Sequence, residues 1–344
     1  MADTPQRGRV LGALVPESQR RALAEVTDRL DLDSGDTRAK RSAFWVMLVL
    51  SGTIAVSGVA TDSTATVIGA MIIAPLSTPI LGIGLGIVAG ERRRIVRSVA
   101  YVLGGMAVVV ALGLLVALAL PATSGVTSNS QVTGRTSPGV GDLVAAFATG
   151  FAGAIALARR DLADVLPGIA IAISLVPPLG VVGVCLGQGQ ASLALGALLL
   201  FVSNAVALVI AATVVFSGVG YVQDAREARQ GSAPAPPRRR AAVVVALVAV
   251  LVVAVPMVAN TVQATLAELW LSQVRTAAQD WVGADGTVED VSWQAQDLVV
   301  EVRSPDAVPD VGSLQDRVDT IVPWQPEVVV LHTVGERLDT PEQG

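Results

Sequence analysis

Between Asp62 and Gly90 the chain reads DSTATVIGAMIIAPLSTPILGIGLGIVAG. The run is apolar and long enough to cross about 30 Å of hydrocarbon, yet it carries Pro75 and Pro79 one helical turn apart, with Ser77 and Thr78 between them. Proline lacks an N–H and its ring clashes with the carbonyl four residues back. A helix drawn through the run therefore leaves the carbonyls of Met71 and Pro75 without helical partners. In hydrocarbon a freed carbonyl has to be met from elsewhere in the protein, by water or by a ligand. The run predicts a broken span around a buried, polar or ligand-lined place at membrane depth.

The rest of the chain fits that setting. With 52% hydrophobic and 15% charged residues over 344 positions, it is too apolar for a soluble domain of this size and reads as a polytopic α-helical membrane protein. Seven segments approach spanning length: Phe44–Thr61, Ser63–Ala89, Val96–Leu120, Asp142–Ala158, Val165–Leu186, Leu193–Phe216 and Ala241–Ala259. No apolar core with a cleavage site precedes residue 42, so insertion is expected to start from the first span. The single Cys185 excludes an intrachain disulfide, and the single His332 excludes a multi-histidine metal site within one chain.

Positive charge is sorted along the chain. Basic residues crowd the tail before Phe44, the second connection (Arg92, Arg93, Arg94, Arg97), the fourth (Arg159, Arg160) and the sixth (Arg226, Arg229, Arg238, Arg239, Arg240). The alternate connections hold none, except for Arg135 in the Ser/Thr/Gly-rich loop from Ala122 to Gly141. Positive loops stay on the cytoplasmic side, so the pattern predicts a multi-pass cell-membrane protein with the N-terminus cytoplasmic and the C-terminal domain extracytoplasmic. A re-entrant hairpin at Pro75 would send the Arg92–Arg94 cluster to the other side, against the pattern.

A second broken span repeats the first. Shifting the sequence by 98 places Val67 on Val165, Met71 on Ile169, Pro79 on Pro177, Leu81 on Leu179 and Gly82 on Gly180. The second copy reads VLPGIAIAISLVPPLG, in which Pro177 and Pro178 would free the carbonyls of Ile173 and Ser174. Three spans separate equivalent points, so residues 42–120 and 142–217 are expected to form an inverted repeat of three helices each. Matching Gly/Pro-interrupted spans in two inverted halves point to a transport site near the midplane. The plainer reading is two proline kinks whose freed groups are met by neighbouring serines and threonines.

The polar residues carry two readings each. Asp62 and Ser63 sit where the first broken span starts; Asp62 is either an N-terminal cap or part of a cation-attracting vestibule, and Asp164 has the same alternatives. Ser203 and Asn204 lie in mid-span, where an amide bonds to a neighbouring helix or contacts a ligand. With no charged side chain deep in the first six spans, a carboxylate proton relay is not expected. Binding would fall to carbonyl, hydroxyl and amide groups, which suit a monovalent cation, or a small anion or zwitterion at half-helix N-termini. The candidate ligand- or ion-binding set is Asp62, Ser63, Met71, Pro75, Ser77, Thr78, Pro79, Ile173, Ser174, Pro177, Pro178 and Asn204. Gly82, Gly86 and Gly90 form two GxxxG frames, and Gly150, Gly153, Gly180 and Gly183 add small surfaces for close helix packing.

The two ends of the chain differ from its middle. Residues 1–41 are polar and basic, with an amphipathic helix expected from Pro16 to Leu30, resting on the membrane surface or on a neighbouring subunit. Residues 241–281 hold the seventh span and its outward extension, with Trp270, Val274, Ala277 and Trp281 on one face. Residues 282–344 alternate as strand (Val288–Trp293), strand (Leu298–Val302), helix (Val311–Val322) and strand (Val328–Thr333), an α+β order that resembles the BON-like domains of bacterial envelope proteins.

The stretch from Ser51 to Ile87 closely resembles the signature of a bacterial membrane family known as the uncharacterised hydrophobic-domain, or domain-of-unknown-function, family. The match is carried by Asp62-Ser63, VIGAM (Val67–Met71), IAPL (Ile73–Leu76) and Pro79-Ile80, and extends over about residues 41–220. The resemblance implies the fold and supplies no activity. The residues favour a transporter or channel for a small ion or solute, with its site where the two broken spans meet. The alternative is a non-transporting envelope sensor or scaffold that acts through the C-terminal domain. No nucleophile and base pair lies in the spans, so an enzyme is not expected. Nor is a cofactor, a metal or a nucleic-acid partner; the expected partners are the lipid bilayer, further copies of the chain in a homo-oligomer, and a small ion or solute.

Overall fold

The computed structural model describes residues 15–119, 129–162, 175–228, 269–283, 286–294, 297–305 and 308–335, with isolated positions between 255 and 266. The chain divides into two compact units, Met1–Asn260 and Thr261–Gly344. The first contains α1 (Leu23–Leu30), α2 (Thr37–Ala60), α3 (Thr64–Ile73), α4 (Ser77–Ala89), α5 (Arg92–Ala119), α6 (Ser130–Thr136), α7 (Val140–Ala158), α8 (Val176–Gly187), α9 (Ala191–Gly218) and α10 (Tyr221–Glu227). Four of these, α2, α5, α7 and α9, are long and apolar enough to cross a membrane, and α3 with α4 makes a fifth as a pair bent by 45°. The expected fifth span is described only over α8, and nearly all of the seventh, with Asp164, Ile173 and Ser174, lies outside the described residues.

The prolines act differently from expectation. The interruption is confined to Ala74, Pro75 and Leu76, and Pro79 falls in the first turn of α4. There an N–H has no intrahelical acceptor to lose, and the fixed φ of proline suits a helix start. Pro177 and Pro178 likewise lie in the first turn of α8, both buried. The Pro75 carbonyl accepts the Thr78 N–H at 3.2 Å, so the chain itself meets the orphan expected there. Gly90 ends α4 with φ 67, a left-handed cap, and does not serve the GxxxG packing expected of it. Gly82 and Gly86 do pack closely, a Cβ there standing 3.1 Å from the Leu30 carbonyl oxygen and 2.8 Å from Ile95 Cγ1, and Gly84, outside both frames, adds an approach of 2.7 Å to Ala212 Cβ on α9.

Helix ends recur along the chain. A shift of 98 residues carries Ala60, the end of α2, onto Ala158, the end of α7, and Ala89, the end of α4, onto Gly187, the end of α8. Close contacts recur too. Gly52 of α2 lies against Val109 and Leu112 of α5, and at equivalent positions Gly150 of α7 lies against Ala207, Leu208 and Ala211 of α9. Across the two sets, α4 packs on α9 while α8 packs on α5.

Residues 15–41 gather one end of this bundle. The Arg21 N–H donates to the Ala158 carbonyl and the Arg160 N–H to the Gln19 carbonyl, both at 2.8 Å. Arg20 pairs with Asp224 at 2.5 Å, Arg94 with Asp31 at 3.3 Å, and Asp33 with Arg97 at 3.0 Å and Arg41 at 2.5 Å. The helix starts at Leu23, not Pro16, and packs Val26 and Leu30 against α4 and α10 of its own unit. The apolar stripe read as a surface-binding face is thus filled from within the chain.

The second unit contains a helix over residues 269–282 (α11), β1 (Thr287–Gln294), β2 (Asp297–Ser304), α12 (Val311–Ile321) and β3 (Val328–Val334). The sheet order is β1-β2-β3, with β1 and β2 antiparallel and β2 and β3 parallel. A parallel pair needs a crossover, which α12 supplies. Its core joins Val274 and Trp281 of α11 to Leu298 and Val300 of β2 and to Leu314 and Val318 of α12.

Candidate functional site

At the end of the bundle opposite the basic cluster, the chain turns from α2 into α3 through Asp62, whose φ is 50. Ser63, not Asp62, caps α3: its Oγ accepts the Thr66 N–H at 3.4 Å. Asp62 reaches across to α6, where its Oδ1 accepts the Ser130 hydroxyl at 2.7 Å and the Gln131 N–H at 3.1 Å. The Ser130 hydrogen bond holds this exposed carboxyl below the usual carboxylate range. Asn129 closes the same turn, accepting the Gln131 and Val132 N–H groups at 2.9 and 3.1 Å while its amide donates to the Val59 carbonyl at 2.7 Å.

This network fixes one guanidinium. The buried Gln131 donates from Nε2 to Thr64 Oγ1 at 2.8 Å. Its main-chain and side-chain oxygens accept Nη1 of Arg135 at 2.8 and 3.0 Å. Burial lowers the Arg135 guanidinium from the ordinary arginine range. Among the described residues Arg135 forms no ion pair, and its Nε and Nη2 have no protein acceptor.

Arg135 lines a half-open cavity of about 300 Å³. The walls are Met71 of α3, Gly134 and Arg135 of α6, Asp142, Ala145, Ala146 and Thr149 of α7, and Leu200, Asn204 and Leu208 of α9. Asp142 is exposed at the start of α7, where its Oδ2 accepts the Gly139 N–H at 2.8 Å. Thr149 lies two turns further along, roughly 10 Å at 1.5 Å per residue. Asn204 sits near the centre of α9, and Met71 is three positions before the interruption at Ala74. The cavity thus runs from polar residues at the bundle end to the depth of the break.

The structure brings together two residues of the expected set, Met71 and Asn204. Pro75, Ser77, Thr78 and Pro79 lie at the break beyond the cavity wall, while Asp62 supports the α6 turn and Ser63 caps α3, neither lining the cavity. Pro177 and Pro178 are packed in the core, and Ile173 and Ser174 lie outside the described residues. Ser203, next to Asn204, bonds within its own helix to the Leu200 carbonyl at 2.8 Å, not across helices. Arg135, Gln131 and Thr149 were not singled out by sequence. For Arg135 a signal existed: it is the one basic residue in the set of alternate connections that otherwise carry none.

Residues 71–210 match the family model described as Domain of unknown function (DUF389). Over those residues the chain is similar to that uncharacterised family. Met71, Arg135, Asp142, Thr149 and Asn204 all fall within the matched residues, whereas Asp62 and Ser63 precede them. The chain is also similar to Uncharacterized protein MJ0678 of Methanocaldococcus jannaschii, with 30% identity over 175 residues, 51% of this chain and 53% of the relative. The chain thus spans about half the length of that curated relative. The relative is archaeal, so the bacterial character expected of the family is not shown. No solved structure matches the chain.

Proposed function

We propose that the protein is a membrane transporter or channel for a small ion or solute, and that its path begins in the cavity between α3, α6, α7 and α9. The observation that carries this reading is the course of the cavity, from Arg135 and Asp142 beside the bundle end to Met71 and Asn204 in mid-helix. A polar cavity that descends beside an interrupted span is where irregular backbone is tolerated at membrane depth.

The inverted repeat belongs to the same reading. The recurrence of helix ends and of the Gly52 and Gly150 contacts supports two equivalent halves, and an odd number of spans per half would oppose their directions in the membrane. Seven spans, with Arg94, Arg97 and Arg160 at the cytoplasmic end, would open the cavity to the outside. Relative rocking of the halves would then alternate access to the Pro75 break. On this reading the protein binds and conducts, and catalyses no covalent step.

Solvent access tests it. With Cys185→Ala removing the one native thiol, Thr149→Cys in intact membrane vesicles should react with a membrane-impermeant thiol reagent. Uptake or current in liposomes, assayed over a panel of ions and small solutes, should be lost in Met71→Trp, whose bulk fills the cavity. An unreactive Thr149→Cys together with no flux for any solute overturns the reading. The sensor alternative is favoured by one observation, the exposed apolar side chains Val329, Leu331 and Val334 on β3. It predicts flux-free liposomes and a partner lost on deleting residues 282–344.

A further inference from the structure

We propose that the cavity is a binding site for a small organic carboxylate, gripped by the Arg135 guanidinium, with its short apolar body against Met71, Leu200 and Leu208. The inference rests on the transport reading for its purpose, though not for its chemistry. A guanidinium offers donors along fixed edges, and the edge formed by Nε and one Nη matches the two oxygens of a carboxylate. In this protein Nη1 is committed to both oxygens of Gln131, at 2.8 and 3.0 Å. Those bonds orient the group and leave the Nε and Nη2 edge as its free fork. Gln131 is itself held by Thr64, Asp62 and Asn129, so the fork is set by a bonded chain and not by a mobile side chain.

The remaining walls select among anions. A fully hydrated inorganic anion would face Leu200, Leu208 and Met71 with polar surface on most sides, which is unfavourable. A carboxylate with a short hydrocarbon body presents charge to Arg135 and apolar area to those three side chains. A volume of about 300 Å³ admits a body of a few carbons. Asp142 shares the cavity, but its Oδ2 already takes the Gly139 N–H, and it forms no ion pair with Arg135. Its negative charge at the entrance disfavours dianions and leaves monocarboxylates preferred.

The test is binding to the purified full-length protein in detergent, read as thermal stabilisation and by titration calorimetry. The probes are acetate, propionate, butyrate, inorganic phosphate, alanine and ethylamine. Propionate and butyrate should raise the melting temperature with dose, and phosphate and ethylamine should not. Arg135→Gln should weaken binding at least tenfold, and Arg135→Lys, which keeps charge and loses the fork, should fall between. Met71→Trp should abolish binding with Arg135 intact, so a misfolded Arg135 variant does not leave the matter open. Carboxylates that fail to bind, or that bind Arg135→Gln equally well, overturn the proposal. Alanine binding without propionate binding also overturns it, because recognition would then lie with an ammonium group. Flux in liposomes separates this from the transport reading. Carboxylate binding without flux leaves the site standing and the transporter not, whereas flux indifferent to Arg135→Gln does the reverse.

Discussion

Gly183 of α8 and Gly113 of α5 meet backbone to backbone: a Cβ on Gly183 would stand 2.8 Å from Gly113 Cα and 2.2 Å from the Val110 carbonyl oxygen. Neither neighbour is the flexible end of a side chain, so an added methyl can be admitted only by moving a helix. Gly183→Ala should destabilise the membrane unit by about 1–3 kcal/mol, as overpacking of a tight interior does. The thermal transition in detergent measures it, with Gly69→Ala as control, since nothing lies within 4 Å of a Cβ at Gly69. Equal transitions for the two variants would refute the close crossing.

The turn before α6 depends on Asp62. Asp62→Asn keeps the shape but weakens the acceptor for Ser130 and Gln131. Hydrogen exchange over residues 129–136 should speed up in the variant, with α9 unaffected. The pH dependence follows from sign. The folded carboxyl titrates below its unfolded value, so its contribution is complete above the ordinary carboxylate range and is lost as pH falls through the folded value. Acidification should therefore lower the protection factors of residues 129–136, exchange rates corrected for the intrinsic rate at each pH, more in the native protein than in Asp62→Asn.

At the other end, Asp31 meets a guanidinium that is almost fully buried. Arg94 is 8% exposed and its Nη1 has no hydrogen-bond partner among the described residues. Asp31→Ala leaves it with Glu91 alone, at 3.0 Å. The expected loss is about 1–3 kcal/mol, the scale of a hydrogen bond to a charged group, seen as a lower melting temperature and faster proteolysis of residues 15–36.

Asp33 gives that end its acid sensitivity. Burial opposes its ionisation, but hydrogen bonds from Arg41 and Tyr101, with the charges of Arg41 and Arg97, hold its carboxyl below the usual range. Stability from this group is present above the unfolded carboxylate value and drains away as pH falls through the folded one. A melting series from neutral to acid pH should fall less steeply for Asp33→Asn than for the native chain.

In the second unit, the Trp281 indole donates to the Asp310 carbonyl at 3.1 Å and to Ser313 Oγ at 3.0 Å. Trp281→Phe removes the donor and part of the buried ring. A loss of about 1–3 kcal/mol follows from an unmet buried acceptor, and denaturant titration of the full chain, followed by the remaining tryptophans, should show an earlier transition for this unit.

Much of this was legible because hydropathy, periodicity and chain symmetry are local or additive properties. Five of the seven expected spanning segments, the interruption near Pro75 and the alternating strands of residues 282–344 are readable from residue type and spacing. The 98-residue shift could be read because paired sequences keep paired helix ends. What misled was the role of individual residues. Spacing alone marks Pro79 as a helix breaker, but the position of a helix start is decided by which N–H groups find acceptors, and Pro79 falls in the first turn of α4. Local sequence offers Asp62 as the cap of the helix that follows it or as part of a cation-attracting vestibule, whereas its acceptor is engaged by Ser130, 68 positions away.

By itself the sequence determined that this chain is a bundle of membrane-length helices with an interruption near Pro75 and a small mixed domain after them, since those follow from where apolar surface must go. Only the tertiary structure decided that Arg135 would be turned by Gln131 toward a cavity floored by Met71 and Asn204. Those residues come from α3, α6 and α9, and their meeting depends on how closely the packed helices approach, as where Gly196 of α9 lies against Thr136 of α6. Such an approach is a property of packed surfaces in three dimensions, and no stretch of the chain encodes it alone.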